Sequence, residues 1–287
     1  MRMIINDQTN IQDSSLLENL IRYSEIKQQI SECPDDEIII DLSRIRFAFP
    51  LFLNLLLLTR DKDKRIRFEN ETSYLKAISF PDALSVAETE LENISKTYIP
   101  LIADMPNNEN NSTSSVTNRI ISLINRTVDI PKSVSMGIHY MLQELIDNIT
   151  EHSLAEKFYV LSQAYPKKKF IDICIADNGK GFRQSYKRAG YNVRNDNQAI
   201  RMMASAISSK DRPENESRGY GLFTSRKMTT EGLSGEFLCI SGKAAYAKLK
   251  DKEYILNLPS WNTIGTVVAL RIKYDNEKFS IYNFLEY

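Results

Sequence analysis

The chain has 287 residues, of which 42% are apolar and 26% charged, and its 37 basic side chains balance its 37 acidic ones. That apolar share excludes disorder along the whole chain and is enough for two ordinary domains. The balanced charge gives the average surface no long-range attraction to nucleic acid or to an anionic membrane, so neither is expected as a partner.

The amino terminus, Met1 to Asp7, meets polar residues too early for the apolar stretch of a signal peptide, which points to the cytoplasm. Leu16–Ile30 has the apolar spacing of an amphipathic helix, and residues 36–41 read as a short buried strand. The greasiest segment, Phe47 to Leu58, is interrupted by Pro50 and Asn54 and falls short of the roughly 20 residues that span a bilayer. It is expected as a core element with a helix after Pro50, followed by a strand at Arg65–Glu69. Residues 1–104 thus form a small α/β module. The polar, turn-forming run Met105–Asn118 reads as a linker, placed at 105–118, and a second domain covers 119–287.

In the second domain, Val116–Val128 and Ser133–His152 read as helices, the latter entered through Pro131 and Ser133. Strands follow at Phe158–Ala164 and Phe170–Ala176. Next come a long loop region with one helix near Asn197–Ile207, then a helix at Tyr220–Thr230. Strand-like runs at Gly235–Ile240, Glu253–Leu258 and Thr266–Lys273 close the chain. The cysteines Cys33, Cys174 and Cys239 lie far apart without metal-ligand spacing, and read as reduced, buried thiols.

Three segments carry chemistry. On the helix ending at His152, Glu144, Asn148 and His152 recur every four residues, making a polar ridge opposite Leu142, Leu145, Ile146 and Ile149. A solvated helix face would look the same. The strand Ile171 to Ala176 runs into Asp177-Asn-Gly179-Lys-Gly181, where a carboxylate at a strand end can accept a hydrogen bond from an exocyclic amine. A plain turn would also use these residues. Arg218-Gly219-Tyr-Gly221-Leu222-Phe opens a helix with small residues, which leaves N–H groups free to meet phosphate. No P-loop and no strand–G-x-G-x-x-G–helix unit is present.

Taken in order with Gly265-Thr266 before the last strand, these segments resemble the GHKL (Bergerat-fold) family of ATPases and kinases over about residues 116–275. The resemblance implies a two-layer α/β sandwich, a mixed sheet with helices on one face, binding ATP and Mg2+. It implies that Asn148 binds the magnesium ion, Asp177 holds the adenine amino group, and Gly179 and Gly181 shape the floor under the base. Gly219, Gly221 and Leu222 would give backbone contacts to phosphate, and Thr266 would approach the adenine. Glu144 would activate water or a partner serine hydroxyl. His152 is open between a place near the nucleotide and a packing role. The stretch 182–217 corresponds to the family's ATP lid and is rich in basic residues, of which Lys210 or Arg212 is expected on phosphate.

The run Ile38 to Leu51 is similar to the central strand and following turn of STAS domains, the fold of anti-sigma-factor antagonists. Those carry a phosphorylatable serine at the helix start, where this chain has Phe49-Pro50-Leu51. A STAS-like binding module without that switch is expected, with Ser43 structural. The leading expectation is an ATP-dependent regulatory protein, close to the anti-sigma-factor kinases, that engages or phosphorylates a protein partner. Alternatives are an ATPase with Glu144 activating water in a closed state, a homodimer being one such arrangement, and a scaffold that keeps the fold without the chemistry. With only His139 and His152 in the chain, self-phosphorylation in the manner of sensor kinases is disfavoured.

Overall fold

The computed structural model describes residues 1–6, 14–89, 97–106, 113–205, 207, 221–261 and 263–285. Its larger sheet has seven strands: β4 (Tyr98–Asp104), β5 (Phe158–Tyr165), β6 (Phe170–Asp177), β7 (Glu236–Gly242), β8 (Ala244–Leu249), β9 (Lys252–Asn257) and β10 (Thr263–Lys273). They lie in the order β4-β5-β6-β10-β7-β8-β9, so the last strand inserts between β6 and β7. Every pairing is antiparallel, where a mixed sheet was expected. Three of the six pairings have a local reason: β5–β6 and β7–β8–β9 are joined by short hairpins, which only antiparallel neighbours allow.

Alternation along the strands sends side chains to two different cores. Ile171, Ile173 and Ile175 of β6 face α4 (Thr113–Thr127) and α5 (Lys132–Asn148), while Cys174 and Ala176 face the other way. The apolar stripe of α5, including Leu142, Leu145, Ile146 and Ile149, is buried against the sheet as its spacing dictates. This helix starts at Lys132 behind Pro131, with no side-chain cap, so Ser133 does not serve as one. Together, the sheet and these helices make the expected two-layer α/β sandwich.

The opposite face of the sheet is covered as well. Residues 1–77 form a βαβαβα unit: β1 (Arg2–Ile4), α1 (Leu16–Glu32), β2 (Ile38–Asp41), α2 (Pro50–Lys62), β3 (Ile66–Glu69) and α3 (Ser73–Ala77), with β1, β2 and β3 parallel in that order. A capping box between Ser15 and Glu18 starts α1. Helix α2 is apolar on all sides, and Pro50 through Thr59 are all buried. Such a helix needs cover all round. It lies between the small sheet and strands β5, β6 and β10, where Asn54 Nδ2 donates to Cys174 O at 3.0 Å. The Asp41 carboxylate accepts from Ser43 N–H and from Arg2 and Asn70, and these bonds hold its pKa well below the ordinary range. Ser43 is thus part of a turn, as expected. The start of α2, at Phe49, is fully buried against Tyr165, so this site is closed to modification as well as lacking serine.

Two boundaries differ from expectation. Strand β4, assigned by its position to the first module, is an edge strand of the large sheet. Pro100 obscures it in the sequence, but an edge strand tolerates proline, and the register shifts between Ile99 and Ile102 around it. Helix α4 begins at Thr113, inside the stretch read as linker, of which residues 107–112 lie outside the described set.

Candidate functional site

Helix α5 does not stop at Asn148. It runs on as a π-helical turn, Ile149–Ser153, and ends at Leu154 in the left-handed conformation, with φ of 50°. A bulky residue there is a backbone outlier, and π turns cluster at functional sites. The turn brings Asn148, His152 and Ser153 to one side of a cleft whose empty volume is about 860 Å³, open solvent at the mouth included. The floor comes from β6 and β10 through Ile175, Asp177, Thr266 and Val268. One wall is α6 (Gly181–Arg188) with the end of α7 (Asp196–Ala204), presenting Phe182, Ser185, Tyr186, Met203 and Ile207. Helix α8 (Gly221–Lys227), which touches α7, contributes Leu222 and Phe223.

Asp177 is 3% exposed at the end of β6. Gly179 N–H donates to its Oδ1 at 2.8 Å and Thr266 N–H to its Oδ2 at 3.2 Å, so each oxygen keeps a lone pair for a further donor. Burial pushes the carboxyl up to about 7, against the opposing effect of the two backbone donors. No cation pairs with it among the described residues. Gly265, at φ of +71°, passes so close that an added Cβ would meet the Asp177 carbonyl and carboxylate. The sequence Gly265-Thr266 therefore serves the aspartate directly: one residue clears the space, and the next supplies the hydrogen bond.

Of the residues singled out by sequence, Asn148, Asp177, Gly181, Leu222 and Thr266 line this cleft, and His152 joins them. Gly179 contributes through its bond to Asp177. Gly221 is buried at the start of α8, where a Cβ would collide with the Glu144 carboxylate. Glu144 itself is not among the lining residues. It hydrogen-bonds with Tyr140, whose hydroxyl is pushed up to about 12 by burial and by the Glu144 charge. Lys210, Arg212 and Gly219 lie outside the described residues. The described basic residues of the 182–217 stretch, such as Arg183, Lys187 and Arg201, do not line the cleft.

Sequence reasoning missed the aromatic wall. Phe182 and Tyr186 sit on α6, which follows the glycine turn directly and whose eight, mostly polar residues give little helical signal. Spacing of four between Phe182 and Tyr186 was the available signal. The Tyr186 hydroxyl donates to Ile207 O at 2.6 Å, and burial raises its pKa well above the ordinary value. Tyr186, Val193 and Ala199 form a small core of their own between α6 and α7.

No protein-family model matches the chain, and no curated protein matches it. Among solved structures, one match is the histidine kinase domain of the blue-light-activated histidine kinase from Erythrobacter litoralis EL346, at 13% identity and a TM-score of 0.25. The match covers 58% of this chain and 63% of that one, and at this TM-score it carries no argument about fold or chemistry. Among the described residues, no helix is long and apolar enough to cross a membrane.

Proposed function

We propose that the cleft is an ATP site and that the protein is an ATP-binding regulatory protein of the kinase-like kind. The observation that carries this reading is Asp177: a carboxylate 3% exposed, without a cationic partner among the described residues, on the floor of an apolar-walled cleft. Burying such a group is costly, and a ligand with an N–H donor offsets the cost. Leu145, Ile149, Ile175 and Val268 line the same cleft and would supply apolar contact to a planar base whose exocyclic amine bonds Asp177. The base reaches Asp177 while Asn148, at the end of α5, is left for the polar end of the ligand.

Magnesium fits the donor set as a passenger of the triphosphate. Among the described residues no cluster of three His, Cys, Asp or Glu side chains offers a protein cage. A single amide oxygen from Asn148 suits a cation that keeps most of its ligands as phosphate and water. Magnesium bound there would neutralise phosphate charge, and Asn148 would orient it. Gly221 and Leu222 would present backbone N–H groups, and Lys210 and Arg212 remain the cations to examine for phosphate.

Calorimetric titration of ATP with magnesium tests this. Saturable binding to the wild type, lost in Asp177→Asn and in Asn148→Ala, is the expected result. Affinity should also rise between about pH 6 and pH 8 as Asp177 loses its proton, because only the ionised group accepts freely from the amine. Wild-type protein that binds no ATP at any of these pH values refutes the reading. The finer version is that occupancy alters engagement of a protein partner or supports transfer of phosphate to it. Glu144 is the candidate base for that transfer or for hydrolysis, once it turns from Tyr140 toward the cleft. Labelled phosphate appearing in neither a partner nor in solution, with binding intact, would leave regulation by occupancy alone.

A further inference from the structure

The two walls of the cleft are held together by a residue that does not line it. Arg226, on α8, is 7% exposed. From Nη1 it donates to Ala204 O, the last residue of α7, at 3.0 Å and to the Tyr246 hydroxyl on β8 at 2.8 Å. Its guanidinium carbon lies 4.6 Å from the ring centroid of Phe223, which faces the cleft, and 5.4 Å from that of Tyr246. The nearest carboxylate among the described ion pairs, Glu253, is 4.0 Å away and half exposed.

A buried cation with one distant carboxylate is an inefficient way to fill space. An apolar side chain of similar volume would do so without desolvating a charge. What the guanidinium supplies instead is direction. Its planar fork bonds two acceptors at once, one of them the negative end of α7, while its face stacks under Phe223. The start of α7 is anchored to the large sheet by Ile200, buried in the main core, and by Asp196, which accepts from Lys243 N–H, whereas Arg226 bonds its last residue. The tie at Ala204 therefore acts where Met203 and Ile207 enter the cleft.

We infer that Arg226 is a positioning residue that fixes the spacing of α7 and α8, both of which line the cleft, so that ligand affinity depends on a side chain outside it. The inference rests on the nucleotide reading for its ligand but not for its geometry. Spin labels at Arg201→Cys on α7 and Glu231→Cys beyond α8, both exposed positions, report that spacing without any ligand. The full chain is measured as the label pair alone and with Arg226→Met or Arg226→Lys, alongside ATP·Mg titration of the unlabelled variants.

The expected result is a narrow distance distribution in the parent and a broadened or shifted one in both variants. ATP·Mg affinity should fall by about tenfold or more, the scale of a lost hydrogen bond to a charged group. Arg226→Lys keeps the charge, so its melting temperature should stay near the parent's while its distribution broadens, which a purely stabilising role would not produce. Either folded variant with an unchanged distribution and unchanged affinity overturns the inference. Parent protein that binds no ATP refutes the nucleotide reading, and the distance distributions still decide the role of Arg226.

Discussion

Strand β6 carries two buried aspartates five residues apart, and they face opposite sides of the same sheet. Asp172 points to the side covered by α1 and α2, where Arg271 of β10 binds it through two 2.8 Å hydrogen bonds. Arg271 also donates to Ser14 O at 2.7 Å and stacks on Phe170. Burial works against the guanidinium's charge, but Asp172 outweighs it and holds Arg271 above its ordinary pKa. Asp177 points to the cleft and receives only backbone N–H groups, the second of them also from β10. Same strand pair and same residue type thus produce a satisfied structural carboxylate on one face and a carboxylate open to a ligand on the other. The difference lies in the partner: a fixed cation closes a site, whereas neutral donors leave it open to chemistry.

The sharpest way to break this contrast is to remove the fixed cation. Arg271→Met leaves Asp172 buried without compensation and should cost about 3–5 kcal/mol, read from denaturant midpoints. Adding Asp172→Leu should recover most of that loss. In the folded double variant ATP affinity should change little, since the ion pair lies on the opposite face of the sheet and five residues, roughly 17 Å, along the strand from Asp177.

Asp177 should behave in the opposite way, and pH reveals it. Its folded pKa of about 7 lies above the ordinary 3.8, so the folded chain holds a proton that the unfolded chain has released. Stability is fully present below the unfolded value and is lost as pH rises through the window from about 4 to about 7, by up to about 4 kcal/mol. Asp177→Asn should flatten that slope while abolishing ligand binding. A slope unchanged in the variant would mean that other groups carry it.

Smaller effects refine the picture. Gly265→Ala forces a side chain into the left-handed region, for about 1–2 kcal/mol, and adds a collision with the Asp177 backbone carbonyl and carboxylate, so stability and binding should both fall. On the covered side, Ser15→Ala removes one bond of the α1 capping box. It should cost about 1 kcal/mol and leave ATP titration untouched.

One side of this contrast was legible in the sequence, and the other was not, for physical reasons. The ordered polar and glycine segments located Asn148, Asp177 and Thr266, because a carboxylate at a strand end and a glycine before a strand are local signals. Arg271 and Asp172 gave none: a charge inside an apolar strand becomes meaningful only when register pairs it across the sheet. Strand β8, Ala244–Leu249, was overlooked because small alanines do not read as a strand until larger neighbours cover them. Glu144 has the expected spacing on α5, yet it bonds Tyr140 one turn back on the same helix and abuts Gly221 of α8, and only the first of these neighbours is encoded in a helical wheel. The all-round apolar character of α2 announced burial, but nothing local said that its cover comes from residues a hundred and more positions later.

That last point has a consequence for how the protein is made. During synthesis α2 leaves the ribosome early, whereas β10, part of its cover, is completed only about two hundred residues afterwards. At typical elongation speeds the helix waits roughly 10–40 s with its apolar surface incompletely covered. Truncation after the first hundred residues would make that wait permanent. Fragments of this kind should collect in inclusion bodies or on chaperones, while the intact chain escapes by closing its second sheet over a helix it made first.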